Sequence, residues 1–71
     1  MEIFVFKTNL SSTKLIRAAK PILQNIEGIL RWNIDREDVD KVLRVEARNI
    51  MPSMIINAFN NAGFACEELP D

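Results

Sequence analysis

Phe6-Lys7-Thr8-Asn9-Leu10-Ser11-Ser12-Thr13-Lys14-Leu15 is the stretch in which one hydrophobic period gives way to another. Upstream, Ile3 to Lys7 is rich in aromatic and β-branched residues and apolar on both parities, which predicts a strand. Ile3 and Val5 share one of its faces, Phe4 and Phe6 the other. Downstream, Leu15, Ala19, Ile22, Leu23 and Ile26 recur at helical spacing, with Lys14, Arg17, Lys20 and Gln24 on the opposite side. Between them Thr8 to Ser12 breaks the strand, and Ser11 or Ser12 is placed to cap the helix. Pro21 falls inside the helical pattern, where it removes a hydrogen bond and kinks or breaks the axis.

Outward from this junction the chain repeats the alternation. Glu27-Gly28 closes the first helix, and Ile29 to Ile34 reads as a strand with Leu30, Trp32 and Ile34 on one face. Trp32 fits either the core or an interface. Asp35 to Asp40 is an acidic turn, and Lys41 to Arg48 alternates as a third strand, making a hairpin. Pro52 suits the first position of a second helix, for which Met51 is a poor cap. Met54 or Ile55, Ala58, Phe59 and Ala62 form its apolar stripe; Gly63 ends it, and Phe64 to Leu69 is a last strand. Strand, helix, strand, strand, helix, strand with right-handed crossovers predicts an α+β, ferredoxin-like sandwich. Its four-stranded antiparallel sheet carries both helices on one face and leaves the other to water or a partner.

Residues 1–71 are expected to form one domain, near the low end of what folds alone: a chain this short buries only about 60% of its unfolded surface. Nine basic and ten acidic residues give a net charge of −1, which argues against nucleic acid. There is no histidine, which removes a histidine metal site and a histidine general base. One cysteine, Cys66, makes no internal disulfide. No basic leader precedes the first strand, and no apolar run approaches the ~18 residues that cross a bilayer, so the expectation is a cytoplasmic protein without membrane insertion.

The order of elements, the Gly28-Ile29 that follows the first helix and the Ala62-Gly63-Phe64 that follows the second resemble the heavy-metal-associated domain of copper chaperones and metal-transporting P-type ATPases. The resemblance spans essentially the whole chain. It implies a Met-X-Cys-X-X-Cys metal loop between the first strand and the first helix. Counting back from Gly28 places Leu10 at the Met and Ser12 and Leu15 at the two Cys; counting forward from the strand places Asn9 and Ser12 there, after Thr8. Neither register holds a thiolate. Cu(I) is soft and selects thiolate or thioether ligands, so Asn9, Leu10, Ser11 and Ser12 form a degenerate loop and no cofactor is expected.

Other constellations are weaker. Asp35, Glu37, Asp38 and Asp40 offer oxygen ligands to a hard cation but lack EF-hand spacing, and an acidic solvated turn explains them. The helix start at Ser11-Ser12 is explained by capping without an anion. Cys66 is read as a small buried hydrophobe; as a metal ligand it needs Met51 or Met54, which the topology places at the far end of the second helix. If Ile3 and Val5 face the helices, Phe4 and Phe6 lie together on the open sheet face and mark a surface for a protein partner or a homodimer. No residue pattern supports catalysis or a phosphate loop. The sequence thus points to a non-enzymatic interaction or adaptor domain of the heavy-metal-associated shape without its cysteine pair. The alternative is a Cu or Zn binding or transport protein with a degenerate or relocated site.

Overall fold

The computed structural model describes residues 1–70. It contains β1 (Glu2–Thr8), α1 (Thr13–Gln24), β2 (Ile29–Asp35), β3 (Val42–Ala47), α2 (Pro52–Asn61) and β4 (Cys66–Glu68). The strands form one antiparallel sheet in the order β2-β3-β1-β4, the ferredoxin-like topology expected. Ser12 is the cap of α1: its hydroxyl accepts from Leu15 N–H at 3.2 Å. α1 ends at Gln24, short of Glu27-Gly28, and continues through Pro21 unbroken. α2 opens with Pro52 at its start and Met51 at the cap position, without a side-chain cap bond.

Both glycines lie at turns with positive φ, Gly63 closing α2 and Gly28 just before β2. After α2, Phe64 N–H bonds Phe59 C=O at 2.9 Å and Gly63 N–H bonds Asn60 C=O at 3.0 Å, with Gly63 at φ +90°. This is a Schellman motif, and its usual apolar contact is present as the Phe59 and Phe64 rings, 5.9 Å apart. Gly28, at φ +99°, lies where a Cβ would meet Ile50 Cγ2 at 2.5 Å and Arg48 O at 2.7 Å. Its own carbonyl accepts from Arg48 N–H at 2.8 Å.

The core corrects the reading of β1. Phe4 and Phe6 are buried, at 8% and 0% exposure, and pair across the sheet with Val45 and Leu43. They pack with Leu10, Ala19, Leu23, Ile55 and Phe59 under the helices. Ile3 and Val5 therefore occupy the open face, and the expected aromatic surface of Phe4 and Phe6 does not exist. Both parities of β1 are apolar, so alternation alone leaves its orientation undecided. The two rings go inward because each removes far more apolar area from water than Ile or Val does.

β2 departs from the expected alternation through a bulge. Ile29 pairs with Ala47 but Arg31 pairs with Glu46, so Leu30 is the extra residue and stands 53% exposed. Beyond the bulge Trp32 pairs with Val45 and Ile34 with Leu43, both half-buried against the core. In α2 the buried stripe is Ile55 and Phe59, while Met54 and Ala62 are exposed and Ala58 is half-buried. Those offsets set Met51 and Met54 at the opposite end of α2 from β4.

Candidate functional site

The β1–α1 loop, the β2–β3 hairpin and the α2–β4 turn meet at one end of the sandwich. At its centre is Thr8, a buried polar residue that the sequence reading passed over. Thr8 N–H bonds Asp40 C=O at 3.0 Å, and its hydroxyl donates to Lys41 C=O at 2.6 Å while accepting from Leu10 N–H at 3.2 Å. Lys41 has φ +46°, a conformation that a lysine adopts only when its surroundings hold it. Thr8 shares the parity of Phe4 and Phe6, and its burial follows once those two rings are known to face inward.

Each degenerate-loop residue has a structural task except Ser11, whose side chain is exposed. Asn9 Oδ1 accepts from Ala65 N–H at 3.1 Å, tying the loop to the start of β4. Leu10 is fully buried and plugs the core beneath the loop. Ser12 caps α1, and Leu15 is half-buried against the core. In either register the positions that the resemblance gives to cysteine hold a backbone-bonded amide, a capping hydroxyl or an apolar side chain. Oxygen donors that are neutral, hard and already engaged offer nothing to a soft ion.

Cys66 opens β4 directly opposite Thr8 and is buried as expected. Burial pushes its thiol from 9.0 up to about 11, so it is protonated at neutral pH. The structure brings it beside Thr8 and Asn9, along a shallow depression of about 400 Å³, rather than to Met51 or Met54.

Two of the hairpin carboxylates serve their own turn. Asp35 Oδ1 accepts from Glu37 N–H at 3.1 Å, and Asp38 Oδ1 from Asp40 N–H at 2.8 Å. Asp40 lies 3.7 Å from Lys7 Nζ, and Lys41 Nζ bonds Arg36 C=O at 2.8 Å. Among the described residues no three His, Cys, Asp or Glu side chains converge as a metal cluster. On the open sheet face, Glu46 bridges Arg31 at 3.4 Å and Arg44 at 3.6 Å, beside Ile3 and Val5.

No family model matches the chain, and no curated protein matches it by sequence. Solved structures do match it in shape. A domain solved in work on crosstalk between Cu(I) and Zn(II) homeostasis superposes with a TM-score of 0.83 at 11% identity, over 97% of this chain and all of that one. The yeast copper transporter domain CCC2A, in apo and Cu(I)-loaded states, gives 0.82 at 18% identity over 100% and 99% of the two chains. The N-terminal domain of ZntA in its Zn(II) form gives 0.76 at 15% identity over 93% and 89%. The chain has the fold of these domains over essentially its full described length.

Proposed function

We propose that residues 1–71 are a single, non-enzymatic domain that acts in the cytoplasm as a protein-interaction or adaptor module, with the shape of soft-metal-carrying domains and no metal site in the loop. The observation that carries this reading is the engagement of the loop. Thr8, Asn9 and Ser12 each spend their side-chain oxygen on a backbone group, and the one thiol nearby is buried and protonated. There is no histidine to serve as general base, and the raised Cys66 thiol is not an activated nucleophile, which supports a non-enzymatic reading. No helix among the described residues is long and apolar enough to cross a membrane.

A specific observation favours a second reading, metal binding through a relocated site: Cys66 sits beside the loop that the resemblance assigns to metal. One titration separates the two. Reduced protein is titrated with Cu(I) and with Zn²⁺ against a competing chelator, beside Cys66→Ala. The interaction reading expects no competition from either protein. Tight binding that Cys66→Ala abolishes would replace it with the metal reading.

With Phe4 and Phe6 inside, the open sheet face is a poor docking surface. A homodimer there would cover Ile3 and Val5 but also the Arg31–Glu46–Arg44 chain, and burying charges costs several kcal/mol per ion unless the pairing is excellent.

A further inference from the structure

A groove of about 380 Å³ runs between α1 and β2. Its floor is apolar, made by Ile16, Trp32 and Ile34, all half-buried. Its rim carries Arg17, Lys20 and Arg36. Among the described residues these three cations have no carboxylate within ion-pair distance; the ion pairs involve Lys7, Arg31 and Arg44 instead. Three unpaired cations around one apolar floor are a marked segregation of charge in a chain whose net charge is −1.

The groove borders an open edge of the sheet. β2 pairs only with β3, so its outer backbone groups have no strand partner. Proteins blunt such edges with bulges, prolines or charge. Here the bulge is confined to the Ile29–Arg31 end, and Arg31 to Asp35 continues regular and free of proline. Pairing with a second β2 edge would set two cation-rimmed grooves side by side. An incoming strand of opposite charge meets no such repulsion.

We propose that this groove docks an acidic, extended segment of a partner protein, which adds as a further strand along β2 and seats an apolar side chain on Ile16, Trp32 and Ile34. Main-chain bonds to β2 supply affinity, the floor selects an apolar residue, and the rim selects carboxylates beside it. The proposal rests on the interaction-module reading and gives the partner's chemistry.

The test is selection of short random peptides displayed on phage against the full chain, followed by anisotropy with the synthesised winners. Arg17→Glu with Lys20→Glu is the control, since both side chains are exposed. Selected peptides are expected to be rich in Asp and Glu around an apolar residue and to lose about tenfold or more in affinity to the double variant. Hydrogen exchange is expected to slow at the Arg31 to Asp35 amides when peptide is bound. Peptides without acidic bias, or binding the double variant equally well, overturn the proposal. Protection at Ile3, Val5 and Arg44 instead moves the contact to the open face, which overturns the groove and leaves the interaction reading intact. A wild-type dimer that the double variant dissolves assigns the groove to a second copy and likewise overturns it. The metal titration, not this selection, decides the interaction reading itself.

Discussion

Thr8 shows how much one hydroxyl can organise. It joins the end of β1 to Lys41, 33 positions away, and supports the Leu10 turn at the same time. Thr8→Val keeps the shape and removes both bonds, leaving a carbonyl and an N–H short of a partner. We expect a loss of about 1–3 kcal/mol in urea denaturation, largely restored in Thr8→Ser. No local pattern in the sequence reveals this role, because the partner is brought up only by the hairpin. The cap, whose partner lies three residues on, was legible as Ser11 or Ser12, and the structure gives Ser12. Cys66 is a second case where burial governs behaviour. Its folded thiol titrates at about 11 and its unfolded thiol near 9.0, so above pH 9 the unfolded chain releases its proton first. The stability contributed is complete below pH 9 and declines as the pH rises towards 11, by less than about 3 kcal/mol. Denaturation midpoints measured across that window should fall in wild type more than in Cys66→Ala.

At the scale of elements, the two glycine turns look alike in sequence and differ in space. Gly28 and Gly63 both follow a helix and both have φ near +90° to +100°. A Cβ on Gly63 meets nothing within 4 Å, so Gly63→Ala should cost only the backbone strain, about 1 kcal/mol. A Cβ on Gly28 collides with Ile50 and with the carbonyl of Arg48, the residue whose N–H bonds Gly28 C=O. Gly28→Ala should therefore lower the thermal midpoint several degrees further than Gly63→Ala, a comparison that needs only two melting curves. The elements and their order were legible because their periods differ and their boundaries carry Ser12, Gly28, Pro52 and Gly63. Two features were not. The orientation of β1 depends on what lies across the sheet, since Ile3, Phe4, Val5 and Phe6 are apolar in succession. The bulge at Leu30 is a property of pairing with β3, and it turns an expected core residue outward without any change in local composition.

At the scale of the molecule, the shape of metal-carrying domains persists around a loop whose side chains do something else. The identity to the matching structures is 11% to 18%, so the common shape rests on pattern rather than on shared residues. If the shared fold alone suffices, introducing two thiolates into the loop should be enough to create a soft-metal site. The two registers left open by the sequence differ in their geometry. Ser12 is the cap of α1 and Leu15 the third residue of the helix, an arrangement in which side chains reach towards each other across the first turn. Thiolates there would also be favoured by the positive end of the helix dipole. Asn9, by contrast, is directed at Ala65 N–H and holds the loop against β4. Ser12→Cys with Leu15→Cys should thus bind Cu(I) more tightly than wild type, read by chelator competition. Its cost is the cap, about 1 kcal/mol, and part of the Leu15 packing. Asn9→Cys with Ser12→Cys should be less stable and bind more weakly, because it cuts the tie to β4 as well as the cap. A Ser12–Leu15 graft that competes no better than wild type would place the difference from metal-carrying domains in the backbone of the loop, and not in its side chains alone.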